Sequence, residues 1–259
     1  MRIRAVAAIA ALAAIVASTA CSGSGVFRQY EYEEEVYLSL DGRATMYVNA
    51  SIPALNALRG TSFDTAPNVP VDRAAVRRFF EVPGTHDLRL NVSLRSNRRF
   101  VHVRMDVDDI HRLAETTPFA WSHYALAREG DLYVYRQSVG ASVAKDVGNV
   151  GWNGRELVAF RLHLPSRIAF QNTEGPPQRG NILVWEQPLA DRLHGRPVPT
   201  LHGAVQPMEA RMETQSILYR TLYLFGFTFV AVAVTFVVVI WWMLRRRPAT
   251  GDARSESRS

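Results

Sequence analysis

The chain has 259 residues, 47% hydrophobic and 21% charged, with a formal net charge of +6 and a single cysteine. That composition excludes wholesale disorder, and one cysteine excludes a disulfide framework or a multi-cysteine metal site. The positive charge sits at the two ends, with Arg2 and Arg4 at one and Arg245, Arg246, Arg247, Arg254 and Arg258 at the other, while residues 22–220 are close to neutral; this removes the argument for nucleic acid as a partner.

The N-terminus reads as a secretory signal over residues 1–20: Arg2 and Arg4, an uncharged apolar run from Ala5 to Val16, then the small residues Ala17-Ser18-Thr19-Ala20. The apolar run is too short to cross a bilayer as a helix. Cys21 follows directly, an arrangement that resembles the bacterial lipobox, with Ser18 where Leu is usual; the resemblance implies a lipid on Cys21. Cleavage by an ordinary signal peptidase beside an incidental thiol, and an uncleaved N-terminal anchor, are the alternatives. Residues 21–25 hold that cysteine and a Gly/Ser linker.

Residues 26–218 are expected to form one exported α+β domain, β-rich and antiparallel, with two short helices. Val36, Leu38 and Leu40 alternate with Tyr37 and Ser39, and beyond Asp41-Gly42 Ala44, Met46, Val48, Ala50 and Ile52 alternate with polar residues. That is a hairpin. An odd loop, with Gly42 in a left-handed bulge, keeps Leu38 on the apolar face. Pro53–Gly60 and Val71–Val82 read as helices, the second capped by Asp72 and stopped at Pro83-Gly84. A second hairpin joins Leu88–Leu94 to Val101–Val107 across Asn97-Arg98, placing Leu94 opposite Val101. Further strands are expected over Phe119–Arg128, Leu132–Val139, Glu156–Leu164, Arg167–Gln171, Asn181–Gln187 and Met208–Leu218, with Leu193–Gly203 as loop.

The C-terminal pattern changes to an uncharged stretch from Thr221 to Leu244, roughly 36 Å long as helix and enough to span a bilayer core. The expected transmembrane helix is 219–244, with Tyr219 and Tyr223 at one interface, Trp241 and Trp242 at the other, and Arg245-Arg246-Arg247 as the cytoplasmic anchor. Residues 245–259 then form a short basic tail inside, and the domain lies outside, coupled closely to the bilayer by the last strand.

Candidate chemistry is sparse. His102, Arg104, Asp106 and Asp108 share a strand face with Asp109 and His111 just beyond, a donor set that could ligate a metal but reads as an amphipathic strand with Arg104 interleaved. Glu31, Glu33, Glu34 and Glu35 read as a charged edge strand or a site for a basic partner. No nucleophile elbow, zinc-protease, P-loop or dinucleotide motif occurs, and Ser166 lacks an elbow around it. Asn49-Ala-Ser51 and Asn91-Val-Ser93 read as strand residues. Tyr30, Tyr32, Tyr47, Trp121, Tyr124, Tyr133, Tyr135, Trp152 and Trp185 read as core packing before a ligand groove. A tethered hydrolase would need Asp106, Asp108 or His111 to meet Glu156 or His163. No metal, cofactor or catalytic residue is assigned.

Leu164-Pro165-Ser166-Arg167-Ile168, then Asn172, then Gly180-Asn181-Ile182-Leu183-Val184-Trp185, with an apolar span some 35 residues on, resembles a pattern in bacterial envelope proteins that include the LppM-like lipoproteins. The resemblance implies a non-catalytic envelope module that binds a lipid or glycolipid; a protein partner is the further expectation for such a module. It transfers no catalytic residue. The functional expectation is a membrane-anchored, extracytoplasmic binding or scaffold module; the alternatives are the tethered hydrolase and the sensor subunit of a membrane complex.

Overall fold

A computed structural model describes residues 28–204 and 206–245. The signal segment, Cys21 with its linker, and Arg246 and Arg247 lie outside the described residues. The chain divides into two units, Met1–Thr214 and Gln215–Ser259.

The first unit carries β1 (Gln29–Leu38), β2 (Ala44–Ser51), α1 (Ile52–Arg59), α2 (Arg73–Phe80), β3 (Thr85–Arg95), β4 (Arg98–Val107), β5 (Ser122–Glu129), β6 (Leu132–Val139), β7 (Glu156–His163), β8 (Ser166–Gln171), β9 (Ile182–Pro188), α3 (Leu189–Leu193) and β10 (Met208–Ser216). Two sheets form, with strand orders β3-β4-β2-β1-β7-β9 and β5-β6-β10-β8. Between them runs one continuous buried cluster that includes Tyr32, Met46, Met105, Phe160 and Leu183 from the larger sheet and Tyr124, Tyr135 and Met212 from the smaller.

The period-two pattern explains the larger sheet. In β2, Ala44, Met46, Val48 and Ala50 are buried while Thr45, Tyr47 and Asn49 are half-buried on the other face. Leu38 pairs with Ala44 across a turn in which the Gly42 N–H donates to Ser39 O, and Gly42 sits at φ +86. The odd, bulged loop keeps both apolar sets on one face, as expected.

Several expectations are corrected. The second hairpin turns at Ser96-Asn97, both at positive φ, so Arg95 pairs with Arg98 and Leu94 with Arg99 instead of Val101. The displacement is two residues, which preserves the faces and is therefore invisible to alternation. The sheet is mixed, because β1 pairs antiparallel with β2 and parallel with β7. A parallel neighbour needs a long crossover, and the β5–β6 hairpin lies within it. A third short helix, α3, stands in the stretch before the expected Leu193–Gly203 loop, and short 3-10 turns occupy Ile110–Glu115 and Leu201–Gly203.

Local chemistry sets the helices. Ser51 Oγ accepts the Ala54 N–H to start α1, and Gly60, at φ +72, ends it with its N–H on Asn56 O. The next carbonyls are met from outside: Lys145 N–H donates to Ala57 O and Val143 N–H to Leu58 O, both at 3.1 Å. Asp72 caps α2 as expected, accepting from Ala75 N at 2.9 Å.

The second unit contains α4, Ile217–Arg245, 29 residues against the expected 219–244. Its amides bond within the helix, and Thr221, Thr228 and Thr235 each donate their hydroxyl to the carbonyl four residues back, at 2.9, 2.8 and 2.8 Å.

Phe160→Ala, which empties a fully packed position between the sheets, is expected to lower unfolding free energy by about 3–5 kcal/mol, and Leu94→Ala on the exposed edge by under about 0.5 kcal/mol. Denaturant unfolding of the full chain in non-ionic detergent measures both.

Candidate binding site

The acidic run sits in a central strand rather than at an edge, and every glutamate in it has a partner. Arg98 donates from Nε and Nη2 to Glu31 at 3.2 and 2.8 Å, with side-chain exposures of 4% and 0%. A register shift between Tyr30 and Tyr32 leaves Glu31 as the extra residue of a bulge, which explains why it is buried rather than following the alternation. Glu33 accepts from Arg161 at 2.9 Å, and Glu35 faces His163. The His163 hydrogen bond outweighs burial and holds the Glu35 carboxyl below its ordinary range. Glu34 is buried between the sheets and accepts from Tyr32 and Tyr124 hydroxyls and from Gln137 Nε2 at 2.9 Å. Burial raises the pKa of Tyr32, Tyr124 and Tyr135, so these hydroxyls serve as neutral donors.

The proposed metal and hydrolase sets are dispersed into local contacts. His102 bonds Asn49 Oδ1 and Ser93 Oγ, and Asp106 accepts from Thr45 and Arg104 at 2.7 and 2.8 Å. Asp108 lies 3.6 Å from His86, while Asp109 caps the 3-10 turn and bonds His111 Nδ1 at 2.7 Å. Asp106 and His163 do share a cross-strand row, Asp106–Thr45–Tyr37–His163, but two strands separate them, roughly 14 Å at ordinary strand spacing. Glu156 is occupied by the backbone N–H groups of Asn153 and Gly154, both at 2.8 Å. His86, Asp87 and Asp106 bring ligand atoms within 4.8 Å of one another, but on an exposed edge where Asp106 is already engaged by Arg104.

The aromatic reading holds for the core and gains one site that sequence reasoning missed. Tyr32, Trp121 and Phe160 pack together, with Tyr32 edge-on to Trp121 at 5.4 Å. Two guanidiniums lie on the same indole: Arg59, from the last turn of α1, at 3.9 Å from the ring centroid, and Arg192, from α3, at 5.3 Å. Arg192 is 1% exposed. Burial, then the neighbouring Arg59 charge, lowers its pKa, yet a guanidinium stays protonated. One strap, residues 140–145, ties the three segments together. Gly140 N–H donates to Trp121 O, Ser142 Oγ to Arg192 O, and Val143 N–H to Leu58 O. A Cβ on Gly140 would come within 3.0 Å of the Trp121 carbonyl, which explains glycine there. Arg59 and Arg192 gave no sequence signal, because one reads as an ordinary helix-end cation and the other falls between the expected strand Asn181–Gln187 and the expected loop Leu193–Gly203.

On α4, Tyr219 and Tyr223 lie with ring centroids 6.3 Å apart, Arg245 stacks on Trp241 at 4.1 Å, and Trp242 is exposed. The expected interface anchors at 219, 223, 241, 242 and 245 are therefore all on the helix surface.

The chain is thus a β-rich two-sheet protein with a few short helices and one long apolar C-terminal helix. No family model and no curated protein matches it. Among solved structures it is weakly similar to the folded domain of LppM from Mycobacterium tuberculosis, determined by NMR, at 13% identity and a TM-score of 0.38, covering 76% of this chain and 98% of that one.

Two outcomes test this electrostatic picture. Arg98→Met, which strands a buried carboxylate, is expected to cost about 3–5 kcal/mol in denaturant unfolding, against under about 1 kcal/mol for Arg77→Met, whose partner Glu81 is exposed. Burial opposes the His111 imidazolium, but Asp109 and the Leu126 carbonyl outweigh it and raise the pKa above the ordinary 6.5. A raised pKa stabilises the fold fully below the unfolded value and loses that contribution as pH rises through the folded one. The stability gap between the native chain and His111→Gln should therefore narrow with rising pH across the histidine range.

Proposed function

We propose that this protein is a membrane-anchored binding module of the bacterial cell envelope, non-catalytic, with α4 crossing the cytoplasmic membrane. The folded unit then lies on the extracytoplasmic face and the basic tail from Arg245 onward in the cytoplasm. The observation that carries the reading is α4 itself: 29 residues, without a charge from Thr221 to Leu244 and with mean hydropathy 2.5 over its most apolar window. A soluble protein buries such a surface, and a bilayer is the solvent that accepts it.

Three further features support it. The threonine hydroxyls of α4 are satisfied inside the helix, as a lipid environment requires. Tyr219, Tyr223, Trp241 and Trp242 stand where amphipathic rings prefer the two interfaces, and the arginine triplet at one end favours the cytoplasmic side. The signal-like N-terminus demands the same orientation independently. A lipid on Cys21 would add a second attachment to the same leaflet, subordinate to the helix. Binding rather than turnover is favoured because the acids and histidines a hydrolase would need are engaged in separate local contacts. The partner class proposed is a lipid, a glycolipid or another envelope protein.

Membranes from cells expressing the native chain should retain it through alkaline carbonate and release it in detergent. Val232→Arg, placing a charge near the middle of α4 at a cost of about 2.5–3.5 kcal/mol for insertion, should shift a measurable fraction to the soluble or degraded pool. Retention unchanged by that substitution, or a native chain extracted by carbonate, contradicts the reading. Mass spectrometry of the mature N-terminus decides whether Cys21 carries a lipid.

A further inference from the structure

The Arg59–Trp121–Arg192 cluster leaves side-chain donors over, while the buried acceptor beside it, Gln187 Oε1, whose amide shares the Arg196 carbonyl with Arg192, is not engaged by them. Arg192 Nε and Nη2, Arg59 Nη2 and Trp121 Nε1 are buried, and none has a hydrogen-bond partner among the described residues. An unsatisfied buried donor costs about 1–3 kcal/mol, more when charged, so four in one place call for an explanation. The pattern is specific. Nε and Nη2 form the side-on edge of a guanidinium, the pair of parallel donors that grips an oxyanion bidentately. In Arg98 the same edge grips Glu31. In Arg192 it is free, and only Nη1 is used, on Arg196 O at 3.2 Å.

Charge points the same way. Two guanidiniums share one indole, and Glu34 accepts its hydrogen bonds from Tyr32, Tyr124 and Gln137, forming an ion pair with neither guanidinium. Buried water could fill the donors' hydrogen-bonding capacity but could not offset two neighbouring positive charges. An anion does both.

We propose that Arg59, Trp121 and Arg192 form a binding site for a phosphate-type oxyanion, held bidentately by the Nε–Nη2 edge of Arg192. Donors from three separate segments suit a tetrahedral group with several acceptor oxygens better than a planar carboxylate. Free phosphate and the phosphoryl end of a larger molecule such as a lipid headgroup present the same recognising chemistry, and the test below separates them. The strap at 140–145 positions the site through its bonds to Trp121, Arg192 and the end of α1. This deepens the binding-module reading by naming what the module binds, and rests on that reading.

The test is calorimetric titration of the full chain in non-ionic detergent with three probes: inorganic phosphate, micelles containing phosphatidic acid, and acetate. Saturable binding of phosphate or of phosphatidic acid is expected, with acetate weaker; whichever of the first two binds identifies the source. Arg192→Met should weaken binding by about tenfold or more, the loss of a charge-assisted bidentate contact. Arg192→Lys, which keeps charge and stem but loses the fork, guards against misfolding of the first variant and should also weaken it, with near-UV circular dichroism unchanged. The proposal is overturned if neither phosphate nor phosphatidic acid binds, if acetate binds as tightly, or if both folded variants bind as the native chain does. Because the titration is done in detergent, it reports on the cluster whether or not α4 integrates into a membrane, so the two readings fail separately.

Discussion

A long helix whose surface is apolar all round is the constraint from which the account follows. Twenty-one large apolar side chains between Ile217 and Leu244 are exposed along α4. Covering each is worth about 1.5–3 kcal/mol, so leaving them in water costs tens of kcal/mol, against the roughly 5–15 kcal/mol that holds a typical domain together. No rearrangement of surface charge offsets a term of that size. The helix must be covered, and the cover we propose is lipid, since its backbone groups and threonine hydroxyls already bond internally and ask nothing of the surroundings.

The folded unit solves a different problem, that of charge inside a β-core. Its buried ionic groups are matched one by one: Glu31 with Arg98, Glu34 with neutral hydroxyl and amide donors, Glu156 with backbone amides. Such matching makes each group tolerable without making it strongly stabilising. Against that background Arg59 and Arg192 stand out, because the fold brings them to one indole, and among the described residues no acceptor meets the Arg192 edge or the indole N–H. A binding site is one place where unmatched polarity of this kind has a use.

How much was legible in the sequence depended on range. Short-range chemistry was read correctly: the bulged Gly42 turn, the Asp72 cap, and Leu132–Val139 as a strand. Parity arguments also held where parity was the question, yet the Ser96-Asn97 turn shows their limit, since a two-residue displacement leaves every side chain on the same face. Long-range pairing was not legible. Nothing in Glu31–Glu35 reveals that β7 will pair parallel to β1 and bury the strand, and a strand with neighbours on both sides was read as an edge. Arg59 and Arg192 lie 133 positions apart and meet only because one strap binds the ends of α1 and α3. Single-residue type carries no trace of such a meeting.

The central claim, that α4 is a bilayer-spanning helix, is tested most directly by hydrogen exchange on the full chain reconstituted in lipid nanodiscs. The account predicts that the backbone amides of residues 221–244 remain protected over hours as one block, with exchange resuming at the flanking aromatic residues. Exchange along the whole helix at the rate of a solvent-exposed, fraying segment, in discs that retain the protein, would contradict it.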